Sequence, residues 1–233
     1  MGVLDPGYIC PTDGHNYMKT PGYFGHIELA RPVFYIQYLK EVVKLLRCFC
    51  WKCSKLLCSK EKHKAVIENL SGDERWAYVF NQASSVKRCG DDTHNGCGCV
   101  QPSKIRKEDK SLAVLYAEWE NIEGVEEENG KLSIKLTPEI VLKIFKRISD
   151  DDIAFCGFSP VFSRPEWMIC QVLAVPPPAV RPSIKQDSQQ RSEDDISHIL
   201  VNIIKANKTL EDKIKSNAAE PDRDWETDRK SVV

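Results

Sequence analysis

Residues 48–58 read CFCWKCSKLLC, and the role of these cysteines decides what kind of protein this is. Four of the chain's ten cysteines, Cys48, Cys50, Cys53 and Cys58, fall in eleven positions. Disulfides, a metal site and chance clustering each predict a different molecule. A chain of 233 residues can bury a real core and needs no disulfide staples. The start, MGVLDPGYICPTDG, has no apolar run behind a basic flank, so no secretory signal is read there. A reducing compartment is therefore expected, and clustered cysteine there points to metal before disulfide.

Cys50-Trp-Lys-Cys53 is a C-x2-C, the spacing that lets two thiolates grip one tetrahedral Zn²⁺. A second cluster, RCGDDTHNGCGC at 88–99, holds Cys89, Cys97 and Cys99 among Gly90, Gly96 and Gly98. Cys50, Cys53, Cys89 and Cys97 make an all-thiolate set of four, with Cys99 as the alternate fourth ligand and His94 a weaker one. Scattered structural thiols are the competing reading. Cys48 and Cys58 are expected to be ordinary buried thiols.

Composition adds little direction. Charged residues are 29%, apolar residues 42% and net charge −1, so any nucleic-acid surface must be a local patch. One candidate runs from Tyr35 to Lys64, with eight Lys or Arg against two Glu. A solvated helix face and a phosphate-binding surface both fit it. No stretch approaches the roughly 20 apolar residues that span a bilayer, so no membrane partner is expected.

Periodicity predicts the elements. A helix is expected over about 32–47, from Val33, Ile36, Tyr38, Leu39, Val42, Val43 and Leu46. KEKHKAVIENL and DERWAYVFNQASS also read as helices. LAVLYAEWE and KLSIKLT read as a hairpin whose acidic tip carries Asn129-Gly130. Thr137-Pro138 opens a helix with Ile140, Leu142, Ile144, Phe145 and Ile148 on its apolar face. Ser149 caps a short helix, in a capping box with Asp152, that Gly157 closes. WMICQVLAV reads as a buried strand, VPPPAVRP as a stiff extended run and SIKQDSQQRSEDD as a loop. DDISHILVNIIKANKTLEDKI is an amphipathic helix whose stripe of Ile196, Ile199, Leu200, Ile203 and Ile204 needs a partner. The last residues carry no core-forming pattern. Asp228–Val233 back-translates to a string resembling a sequencing adapter, so a truncated gene with an artefactual or disordered tail is expected.

Seven blocks then stand in order: PGYFGHIELARPVF, RCFCWKCSKLL, GCGCVQP, YAEW, EIVLKIFKRISD, FSRPEWMI and VPPPAVRPS. Together, over roughly Met1 to Ala219, they resemble the N-terminal clamp region of the largest subunit of DNA-directed RNA polymerase, RNA polymerase II type. The resemblance implies an α+β fold. Its parts would be a mostly helical clamp head and core, short antiparallel hairpins, a zinc module and a C-terminal coiled-coil arm. It divides the chain into a clamp head (1–150), a core strand with the Pro-rich run (151–183), a lid loop (184–193), the first coiled-coil arm (194–216) and the tail (217–233).

The resemblance also assigns residues. One structural zinc falls on Cys50, Cys53, Cys89 and Cys97, which demotes Cys99. A second family zinc site falls on Cys10, Asp13, Thr20 and Tyr23, where only one of four residues is a cysteine, so that zinc is expected to be absent. A rebuilt set of Cys10, Asp13, His15 and His26 is the remote alternative, and His26 more simply packs in the GHIEL turn. Lys185 and Arg191 are the lid's cations and would meet phosphates. The implied partners are the DNA template, the RNA–DNA hybrid, the second-largest and smaller subunits, and initiation or elongation factors at the coiled coil.

The catalytic Mg²⁺ ions belong to an Asp-rich loop that this chain does not contain. SDDDIAF and SEDDIS are helix caps instead. The fragment is thus expected to be non-catalytic by itself, within a nucleotidyltransferase. The degraded N-terminal site resembles subunits of large DNA viruses, which would place the protein in host cytoplasm or virion rather than the nucleus. Two other classes compete: a freestanding zinc-binding adaptor for nucleic acid or protein, and a Cys50-x-x-Cys53 redox protein. The second would need a βαβ context that is not seen.

Overall fold

The computed structural model describes residues 1–108, 113–120, 131–185 and 191–216. The chain divides into two compact units. Among the described residues, one is Met1–Pro32 together with 171–185 and 191–216, and the other is drawn from Val33–Cys170.

Strand β1 (Gly25–Phe34) comes first, followed by a 3-10 turn at Ile36–Tyr38 and helix α1 (Leu39–Cys48). The expected helix over 32–47 therefore starts later. Residues 25–29 and 30–34 each alternate with a strand's period of two, with a slip of phase between Leu29 and Ala30. Pro32 has no amide hydrogen to donate and is tolerated because β1 belongs to a sheet of only two strands. Leu39, Val42, Leu45 and Leu46 then share the buried face of α1.

Helices α2 (Lys60–Ile67) and α3 (Gly72–Ala83) follow as the periodicity predicts. Trp76 Nε1 donates to Glu41 Oε2 at 3.0 Å and ties α3 to α1. His63 Nδ1 and the Tyr78 hydroxyl, 3.0 Å apart, tie α2 to α3.

A three-stranded antiparallel sheet comes next, ordered β2 (Lys104–Lys107), β3 (Leu115–Glu120) and β4 (Lys131–Leu136). The β3–β4 hairpin matches expectation, with Leu115 opposite Leu136 and Trp119 opposite Leu132. Its tip, including Asn129-Gly130, lies outside the described residues. Strand β2 was not expected, because KIRK offers one apolar residue and no alternation.

Helix α4 (Pro138–Lys146) starts at Thr137, whose hydroxyl accepts from Ile140 N. Val141 joins the expected apolar face and is fully buried. Helix α5 (Asp150–Phe155) starts at Ser149, whose hydroxyl accepts from Asp152 N, and ends at left-handed Gly157 with φ 92°. Asp152 pairs with Lys60 across the core.

The buried residues of Val33–Cys170 form one cluster, with Leu45, Phe49, Leu57, Leu115, Ile144 and Phe145 among its fully enclosed side chains. Each such side chain contributes about 1.5–3 kcal/mol by leaving water.

Strand β5 (Ile169–Val175) pairs with β1. It is not the fully buried strand expected, since Gln171, Val172 and Ala174 are exposed. The Pro-rich run is not extended throughout: Pro178–Val180 turns into a 3-10 segment. Strands β6 (Ile184–Lys185) and β7 (Arg191–Ser192) form a short antiparallel ladder, and the loop between them lies outside the described residues.

Helix α6 (Asp195–Lys215) runs 21 residues from an Asp194 cap. Asn207 holds it to β1: its Oδ1 accepts from Ala30 N and its Nδ2 donates to Glu28 O, both at 2.8 Å. One amide side chain thus pairs with the strand edge as a neighbouring strand would. Of the expected stripe, Leu200 is buried while Ile196, Ile199 and Ile204 remain exposed. No helix among the described residues is long and apolar enough to cross a membrane. The fold is α+β.

Candidate metal centre

CFCWKC folds as a tight turn because α1 stops at Cys48 and Phe49 pairs across to Leu56. Cys50 N donates to Lys55 O at 2.9 Å, and Ser54 N returns to Cys50 O at 2.8 Å. Closing that turn requires a left-handed residue, and Ser54 adopts φ 58°.

The second arm is a hairpin whose neck is pinched by glycine. Cys89 N donates to Cys99 O, Gly98 N donates to Cys89 O, and Arg88 pairs with Val100. A Cβ on Gly96 would lie 2.2 Å from Gly90 Cα, so no other residue fits there. Gly90 and Gly96 therefore bring Cys89 and Cys97 together as if the five residues between them were absent. His94 rides on that looped-out segment, which Lys55 fastens by donating to Asn95 O at 3.0 Å. Asp92 fastens it too, accepting from Ser59 N at 2.7 Å and pairing with Lys62.

The four thiols of Cys50, Cys53, Cys89 and Cys97 converge, with all sulfur atoms within 4.8 Å of one another. Cys50 and Cys97 are 3.5 Å apart, and Cys53 and Cys89 are 3.7 Å apart. Zn–S bonds of about 2.3 Å in a tetrahedron set sulfur atoms about 3.8 Å apart, so the donor set fits that ion in number, chemistry and spacing. Among the described residues this is the one such group. Cys99 stays outside it and donates to Val100 O.

Without a cation Cys50, Cys89 and Cys97 resist ionisation. A hydrogen bond that the Cys50 thiol donates to Cys99, together with burial, pushes Cys50 up to about 12. Burial raises Cys89 and Cys97, and neighbouring thiols add to both. Backbone N–H groups work the other way: those of Cys53 and Lys52 reach Cys50, that of Cys97 reaches Cys89, and that of Cys99 reaches Cys97. These donors favour thiolate, the form a coordinated metal requires.

Sequence reasoning missed Gln101. It is buried, accepts from Trp51 N at 3.1 Å, and donates to Cys50 Sγ at 3.4 Å and to Cys99 O at 2.9 Å. It therefore locks one knuckle to the other. A polar residue just after GCGCV was the available signal, though nothing in spacing marks it. Trp51 stacks edge-on against Trp119 at 5.4 Å, and its Nε1 donates to Leu46 O.

Cys48 and Cys58 are buried thiols as expected, joined by Cys156, and burial raises all three. Part of the basic patch is engaged by neighbours at the protein surface. Lys44 pairs with Glu41, Lys60 with Asp152 and Lys62 with Asp92, while Arg47 lies over the Phe80 ring.

The N-terminal residues do not form a metal set. Asp13 accepts from Thr20 Oγ1 at 2.8 Å and from the Tyr23 hydroxyl at 3.0 Å. Hydroxyls are poor zinc ligands, and one thiol with one carboxylate falls short of four donors. The alternative set with His15 and His26 is not brought together either. His26 belongs to strand β1 rather than a turn, and its side chain is 67% exposed beside Glu28. Lys185 and Arg191 lie opposite each other in the β6–β7 ladder.

Over residues 1–225 the sequence matches the family described as RNA polymerase Rpb1, domain 1. It is 38% identical over 226 residues to DNA-directed RNA polymerase subunit Rpo1N of Methanocaldococcus jannaschii, a match covering 94% of this chain and 16% of that protein. The chain thus spans about a sixth of the length of that relative.

Proposed function

The chain belongs to the RNA polymerase Rpb1, domain 1, family, and from that membership we propose that it is the clamp portion of a polymerase largest subunit, holding DNA and the RNA–DNA hybrid during transcription. The observation that carries this reading is the match to an archaeal polymerase subunit over 94% of the chain.

In this reading the metal is structural Zn²⁺. Cys50, Cys53, Cys89 and Cys97 hold it, and four protein donors leave no open position for chemistry. The ion would supply a cross-link between the Phe49–Leu56 turn that follows α1 and the Cys89–Cys99 hairpin. The chain's own residues do the rest. Gln101 and the knuckle N–H groups orient the thiolates, and the core of Val33–Cys170 gives a rigid body able to swing as one piece. Phosphoryl transfer, with its Mg²⁺ ions, belongs to other parts of the subunit.

Residues 184–193 are the lid, and Lys185 and Arg191 bring positive charge to it for sequence-independent phosphate contact. Helix α6 is the first arm of a coiled coil, and its exposed Ile199 and Ile204 are the seam a return arm and transcription factors would use. The other polymerase subunits are its partners. Its compartment is that of transcription: the nucleus, or host cytoplasm and virion for a viral enzyme.

Site-specific photocrosslinkers at positions 185 and 191 of the whole subunit, in a transcribing complex, test the reading. Crosslinks to nucleic acid are expected at both positions, while position 143 on α4 serves as the comparison. Equal labelling at all three, or none at 185 and 191, contradicts the lid assignment.

A further inference from the structure

The turn at residues 9–16 repeats the backbone of the Cys50 knuckle, with a carboxylate where the second thiol stands. Cys10 N donates to His15 O at 2.9 Å, as Cys50 N does to Lys55 O. Gly14 N returns to Cys10 O at 2.8 Å, as Ser54 N does to Cys50 O. Gly14 is left-handed at φ 69°, and Ser54 at 58°. Ile9 pairs with Asn16 where Phe49 pairs with Leu56. The N–H groups two and three residues on reach the sulfur in both turns: Thr12 and Asp13 for Cys10, Lys52 and Cys53 for Cys50. Asp13 thus occupies the place of Cys53.

What Asp13 gathers differs. Its Oδ1 accepts from His15 N at 2.9 Å, and its Oδ2 accepts from Thr20 and Tyr23. Thr20 Oγ1 also accepts from Gly22 N at 3.4 Å, and Tyr23 N donates to Met1 O at 3.0 Å. The His15 amide and the Thr20 and Tyr23 hydroxyls converge on one carboxylate, so its negative charge is satisfied without a cation. Cys10 is 1% exposed beneath this arrangement.

We infer that residues 10–23 are a metal-free clasp: the Asp13 carboxylate holds Thr20 and Tyr23 onto the Cys10 turn, at the place where the Cys50 knuckle holds a cation. The clasp stands on this geometry alone and is independent of the transcription role.

Nuclear magnetic resonance on the zinc-loaded chain tests it. Stoichiometric paramagnetic cobalt(II) is added, and exchange of the His15 amide is followed. Signals of residues 10–23 are expected to stay sharp in cobalt. Asp13→Asn is expected to speed His15 amide exchange at least tenfold. Thr20→Val, which removes one donor and leaves the carboxylate in place, is expected to speed it by a smaller factor. Specific broadening at residues 10–23 that Cys10→Ser abolishes would show a metal site and overturn the inference. Unchanged His15 exchange in both Asp13→Asn and Thr20→Val would overturn it equally.

Discussion

The Cys50 and Cys10 turns share a backbone and differ in what they close upon. The first closes on four soft sulfur donors, a set suited to a cation. The second closes on one hard acceptor surrounded by N–H and O–H groups, so it needs none. The hydrogen-bond ladder of such a turn therefore does not by itself specify a metal. The side chains gathered on the turn, Cys53 with Cys89 and Cys97 against Asp13 with Thr20 and Tyr23, set which fastener it carries.

The largest expected effect separates the two turns by metal dependence. Cys50→Ser or Cys89→Ser leaves three thiols, and structural zinc in small domains contributes on the order of 10 kcal/mol or more. Either variant is expected to lose bound zinc and the cooperative melting of Val33–Cys170 by calorimetry.

A gain of function comes next. Asp13→Cys with Thr20→Cys and Tyr23→His sets soft donors on a backbone already shaped for them. That triple variant is expected to bind a second cobalt(II) per chain, visible as tetrahedral thiolate absorption bands, and absence of a second equivalent breaks the equivalence of the turns.

Gln101→Ala probes the lock between the zinc knuckles. It leaves Trp51 N and Cys99 O without their buried partner, at a cost of about 1–3 kcal/mol. Zinc affinity should weaken about tenfold in competition with a chelator, in line with the loss of a group orienting a ligand.

Acid distinguishes the clasp. Four donors, the His15 amide first and then Thr20, Tyr23 and Cys10, hold Asp13 at about 2, below its ordinary 3.8. The clasp is thus complete above about pH 4 and is lost as pH falls through about 2. The other titratable side chains facing it, Cys10 and Tyr23, are neutral throughout that window. The His15 amide shift should titrate with the low midpoint, and a midpoint near 4 would mean that the carboxylate is not held.

The smallest effect is the most specific. Cys99→Ser should leave metal content unchanged, because its thiol is directed at Val100 O.

Much of this was legible in the sequence. C-x2-C announced one half of the four-cysteine cluster, and Thr137, Ser149 and Gly157 marked their helix ends correctly. The 89–97 spacing looked irregular because contact between Gly90 and Gly96, which removes the intervening loop from the count, is a tertiary fact. Val33 fitted the helical spacing of the apolar residues after it, and the pairing of β1 with β5 placed it in a strand instead. KIRK became a strand through its partner, with Ile105 opposite Ala117. Asn207 and Gln101 act through backbone groups of distant segments, and no local pattern encodes that. The same holds for Asp13: its neighbours in sequence showed a lost ligand, while only the fold showed what replaced it.

Elemental analysis of the purified chain, with Cys50→Ser and Asp13→Ala alongside, is the most direct test of one metal knuckle beside one metal-free clasp. The account predicts one zinc per chain, absent in Cys50→Ser and retained in Asp13→Ala. Two zincs per chain, or one that Asp13→Ala removes, would contradict it.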